Sequence, residues 1–134
     1  MLSPRLLQLS AVLSAVASVC AQGPIQFVTN YEVWDAFYPV ACPRNVAPSK
    51  GSFVEGTCTN LAGYSFIFNP SGPENVGCTA QFFNATGCGG ATETVNLQSN
   101  EQSSCLVPTF ATGAITSQLP SDHHARSVIV DCTV

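Results

Sequence analysis

The stretch "SVIVDCTV", Ser127 to Val134, decides the class of this chain. Val128, Val130, Cys132 and Val134 alternate with Ile129, Asp131 and Thr133. A period of two with one apolar face is the pattern of a half-buried strand. "CTAQFF" repeats it, with Cys78, Ala80 and Phe82 on one face and Thr79, Gln81 and Phe83 on the other. Further short runs are "IQFV" from Ile25, "AFYPV" from Ala36, "YSFIF" from Tyr64 and "TETVNL" from Thr92, whose firmest part is "TVNL" from Thr94. β-branched and aromatic residues fill these runs, and Gly, Pro, Asn and Ser fill the gaps. No sustained helical period follows the first residues; "VWDAF" and "SSCLV" have room for one short helical turn each. The class is all-β. "NPSGPEN", Asn69 to Asn75, reads as a solvated loop, and "GCGG", Gly87 to Gly90, as a sharp bend needing positive φ.

The opening "MLSPRLLQLSAVLSAVASVCAQG" has one positive charge at Arg5, an apolar run from Leu6, and small residues around Cys20. That order is a secretory signal peptide over residues 1–21, cleaved before Gln22. The run is too short and too rich in Ser and Ala for a membrane anchor. Residues 22–134 then form a single disulfide-rich β domain, expected to be secreted and extracellular without stable membrane insertion. Their charges are Arg44, Lys50 and Arg126 against Glu32, Asp35, Glu55, Glu74, Glu93, Glu101, Asp122 and Asp131. Such a surface repels phosphate backbones and offers no basic amphipathic run, which argues against nucleic-acid and anionic-membrane partners.

Without Cys20, six cysteines remain: Cys42, Cys58, Cys78, Cys88, Cys105 and Cys132. An even count in a small secreted chain reads as three disulfides. No C-x-x-C pair exists, and His123 and His124, taken as strand neighbours, would point to opposite sides, so a zinc centre is not expected.

Three other stretches invite a functional reading. "SDHHARS", Ser121 to Ser127, holds Asp, His and Ser, but a catalytic set must converge in space, and near-adjacent residues rarely do. It reads instead as a solvated connection into the last strand. No converging acid, base or nucleophile stands out elsewhere, so an enzyme is not expected, nor is a cofactor. "NYEVWDAFYP", Asn30 to Pro39, crowds Tyr31, Trp34, Phe37 and Tyr38 together. The plain reading is core, since aromatics are usually buried; the sharper one is a binding surface. "NAT", Asn84 to Thr86, is a sequon in a turn and a candidate glycosylation site at Asn84.

A loose repeat links "GTCTNLAGYSFIFNP" with "LPSDHHARSVIVDC". Each passes from a polar stretch into a strand opening on serine, with Ser65, Phe66 and Ile67 in one and Ser127, Val128 and Ile129 in the other. Two four-strand units fit the length. The second half resembles a βγ-crystallin-type Greek key. That family carries an aromatic, four residues, a second aromatic, one residue and a glycine, which fall here on Phe83, Cys88 and Gly90. Its later "Ser-Ile-x-Val" strand falls on Ser127 to Val130. The resemblance implies a small disulfide-stapled Greek-key β-sandwich. It also implies that the first and fourth strands of the second unit lie antiparallel, joined by Cys78–Cys132. Cys42–Cys58 and Cys88–Cys105 are then the simplest remaining pairs. The family's calcium loop would fall on Asp122 to Ser127, where His123 and Arg126 depart from the oxygen-ligand pattern, so no metal is expected.

In its leader, even cysteine count and sparse charge, the chain is similar to small secreted cysteine-rich fungal proteins, many of them candidate effectors. This implies a non-enzymatic effector, a virulence protein that binds an extracellular or host protein. A killer-toxin-like or antimicrobial protein is the alternative. An inhibitor of an extracellular hydrolase, inserting a loop such as "NPSGPEN", is another.

Overall fold

The computed structural model describes residues 26–74, 76–110 and 120–132. The signal segment 1–21, its cleavage point, Asn75 and Val134 lie outside the described residues. Among the described residues six strands form two antiparallel sheets: β1 (Val28–Trp34), β2 (Ser49–Val54), β3 (Ser65–Pro70), β4 (Gly77–Phe83), β5 (Thr92–Gln98) and β6 (Ser127–Cys132). The sheet orders are β2-β1-β3 and β5-β4-β6. Short 3₁₀ turns occupy Thr86–Cys88 and Pro120–His123.

The two halves follow one plan. Trp34 pairs with Ser65 in the first, and Phe83 pairs with Ser127 in the second. Each half also sends a segment to the other's sheet. Thr59 and Gly63 bridge to Val128 and Ala125, beside β6, while Leu106 bridges to Phe66, in β3. Inward side chains from both sheets meet at the centre. Phe66, Phe68, Phe82, Val128 and Val130 are fully buried, and the Phe66 and Phe82 rings stand 5.0 Å apart across the interface. Burying a side chain of this size contributes about 1.5–3 kcal/mol.

All three disulfides form. Cys78–Cys132 joins directly opposed residues of β4 and β6, as the strand adjacency implies. The other two differ from the nearest-neighbour pairing: they are Cys42–Cys105 and Cys58–Cys88, not Cys42–Cys58 and Cys88–Cys105. The reason is the exchange of segments. Cys58 and Cys105 precede Thr59 and Leu106, which lie against the opposite sheet, so each finds the hairpin cysteine of the other half. Cys42 and Cys88 both adopt positive φ, 49° and 58°, in loops folded back over their own strands.

Several local expectations change. "AFYPV" is an irregular loop, because β1 ends at Trp34. β2, "SKGSFV", is a strand without alternation in its sequence, since as an edge strand it buries Phe53 alone. "SSCLV" is extended and bridges through Leu106. Asn69 and Pro70, read as loop, end β3. "GCGG" does turn sharply: Gly87 and Gly90 have φ of 70° and 81°, and a side chain at Gly90 would strike the Asn84 carboxamide.

Candidate functional site: an aromatic cleft at one end

Beyond β1 the chain leaves the sheet, and residues 35–41 cross the end of the two-sheet core toward β3. Phe37 is 54% exposed there, Val40 71% and Val107 40%. With Tyr38, Tyr64 and His123, Phe37 and Val107 line a shallow cleft. The rings are fixed by one another. Phe37 meets Tyr64 edge-on at 5.9 Å and lies parallel to the His123 ring at 6.3 Å. Tyr64 stacks on His124 at 4.5 Å. Such pairs are worth about 0.5–1.5 kcal/mol beyond their buried area.

Polar contacts hold the histidines beneath this surface. The His124 Nε2 atom is 2.9 Å from the Asp35 Oδ1, and the His123 Nδ1 is 3.0 Å from the Pro108 carbonyl. The side chain of His124 is 21% exposed. This corrects the reading of "SDHHARS" as a purely solvated connection. The two imidazoles also sit on a turn rather than a strand, each against a different ring.

The four aromatic candidates divide. Trp34 is buried, its Nε1–H donating to the Val46 carbonyl at 2.9 Å. Tyr31 is half-buried and stacks on Phe53. Only Phe37 and Tyr38 reach the cleft. Tyr64, His123 and Val107 complete it, and sequence reasoning missed all three as binding residues. Their contribution depends on segments far apart in the chain, which no local pattern signals.

Within "SDHHARS" the histidine and Ser127 side chains have partners elsewhere in the fold. His124 is engaged with Asp35, and the fully buried Ser127 accepts the Cys88 amide N–H and donates to the Ala85 carbonyl. Among the described residues no group of three or more His, Cys, Asp or Glu side chains could hold a metal ion. No helix among them is long and apolar enough to cross a membrane. Asn84 is exposed; its Oδ1 accepts the Ala91 amide at 2.8 Å, and its Nδ2, where a glycan would attach, makes no hydrogen bond among the described residues.

Among the described residues, Glu55 is the one side chain whose titration is clearly displaced. Burial raises its pKa above the ordinary glutamate value, with nearby Asp131 adding to the rise, while bonds from the Thr29 hydroxyl and Ser71 amide oppose it. It sits at the opposite end from the cleft, fastening β1 to the turn after β3.

Comparisons with family models, curated proteins and solved structures return no match. The cleft must therefore be read on its own chemistry: aromatic, with Phe37, Tyr38, Tyr64 and His123 in its lining.

Proposed function

We propose that this is a secreted, non-enzymatic binding protein of the fungal effector type, which engages an extracellular or host protein through the aromatic cleft. The observation that carries this is the exposure of Phe37 and Val107 in a cleft where the Phe37, Tyr64 and His123 rings pack on one another. Exposed aromatics held rigid lose little conformational freedom on binding, and such residues tend to carry interface energy. The three disulfides suit an oxidising, extracellular setting.

The reading extends to the fold. The two halves are proposed to be a crystallin-type pair of Greek keys. Its support is the exchange of one segment between sheets, and the serine opening each last strand. The Ser65 hydroxyl accepts the Cys42 amide at 3.1 Å, and the Ser127 hydroxyl accepts the Cys88 amide at 2.9 Å.

The test is capture of partners by the oxidised protein from plant apoplastic fluid and from microbial culture, beside a Phe37→Ala/Val107→Asp variant. A partner held by the native protein and lost by the variant supports the reading. Identical capture by both removes the cleft from it, and growth inhibition of microbes by the protein alone moves it to the toxin class.

A further inference from the structure

The outer face of the first sheet carries a second surface, of different chemistry. Two open depressions run together there, of about 300 and 330 Å³, sharing Glu32, Lys50, Ile67 and Gln102. The strand register builds them. Lys50, Glu32 and Ile67 form one cross-strand row, and Ser52, Asn30 and Asn69 form another. Neighbouring strands are about 4.8 Å apart, so each row presents closely spaced side chains on one face.

Charge is concentrated here. Among the described residues the only Lys and Arg are Arg44, Lys50 and Arg126, against eight carboxylates. Arg44 and Lys50 both line this groove, with Glu32 as its one acidic residue. Lys50 stands 3.6 Å from Glu32 and is 69% exposed, so its ammonium is open to a further partner. Asn30, Asn69 and Gln102 are exposed, and their carboxamides make no hydrogen bond among the described residues. Each can donate and accept. Between these rows Gly51 leaves room for the Tyr31 ring, which a side chain at that position would strike.

We propose that this groove binds a carboxylated oligosaccharide, with Arg44 and Lys50 holding carboxylates and the three carboxamides bonding ring hydroxyls. The charge pattern selects the ligand. Two cations on an otherwise acidic molecule suit a chain with one carboxylate per ring, whereas a dense polyphosphate would be repelled by the remaining carboxylates. A protein partner is disfavoured because, among the described residues, the exposed large hydrophobic residues (Phe27, Val28, Phe37, Val40 and Val107) all lie outside the groove.

The test titrates the disulfide-intact protein with a short linear oligogalacturonate, with chelator present to exclude calcium bridging. Its fully methyl-esterified form, a sulfated oligosaccharide and a neutral glucan serve as comparisons. Saturable binding of the uronate is expected, weakened roughly tenfold or more by esterification and by Arg44→Ala/Lys50→Ala, as loss of charge-assisted bonds at an exposed site implies. Asn30→Ala/Asn69→Ala should weaken it as well, and Phe37→Ala should not. Amide chemical-shift changes should gather on β1, β2 and Gln102. Absence of saturable binding, equal binding of the ester, tighter binding of the sulfated chain, or shifts centred elsewhere would each overturn the proposal.

Discussion

The Ser127 hydroxyl lies 2.9 Å from the Cys88 amide nitrogen, bridging the first residue of β6 to the β4–β5 loop 39 residues earlier. The same hydroxyl donates to the Ala85 carbonyl at 2.5 Å. One buried side chain thus pins a loop whose cysteine must stand in a left-handed conformation to reach Cys58. Ser127→Ala leaves the Cys88 amide and Ala85 carbonyl short of a partner. Urea unfolding of the oxidised protein should show a loss of about 1–3 kcal/mol, the cost of unsatisfied buried groups. Ser65→Ala, which removes one such bond to Cys42, should cost less.

Glu55 gives a pH dependence of defined sign. Its folded pKa is raised, chiefly by burial, so the folded state takes up this proton more readily than the unfolded chain. Its contribution is fully present below the unfolded glutamate pKa and is lost as pH rises through the folded one. Glu55→Gln keeps an acceptor for Thr29 and Ser71 and removes the charge. Melting temperature measured across the mildly acidic range should fall less steeply with rising pH in the variant. A variant with the native slope would assign the pH dependence elsewhere.

His124 is read as a packing residue under the cleft, so its removal should act on stability. His124→Ala loses the Tyr64 stack and the Asp35 contact, an expected cost of about 1–2 kcal/mol. His124→Phe should recover the stacking part. Unfolding curves of the two variants separate these contributions, and equal losses would show that the ring contributes nothing.

Phe82 sits where both sheets meet, against Phe66 and Phe68. Phe82→Ala should cost about 3–5 kcal/mol, the usual range for a large aromatic removed from a core. Chemical denaturation with disulfides intact measures it.

What the sequence made legible follows from physics local to a strand. β4 and β6 alternate because each has one face on the core, and their pairing brings Cys78 opposite Cys132. β2 escaped because Ser49, Lys50, Gly51 and Ser52 are all exposed at a sheet edge, leaving Phe53 as the strand's one buried side chain. The exchanged segments escaped because Thr59 and Leu106 join their sheets through isolated bridges, too short to impose a period. The cleft was half legible. Phe37 and Tyr38 stood out as aromatics, but Asp35 and His124 meet across 89 positions, and only the closed fold brings them together.

The exchange of segments between halves is the center of this account, and the disulfide map tests it most directly. Proteolysis of the oxidised protein under non-reducing conditions, followed by mass spectrometry of the linked peptides, should recover Cys42 joined to Cys105 and Cys58 joined to Cys88, alongside Cys78–Cys132. Recovery of Cys42–Cys58 and Cys88–Cys105 would mean that each half closes on itself, and would contradict the crossed arrangement on which both the fold and the cleft depend.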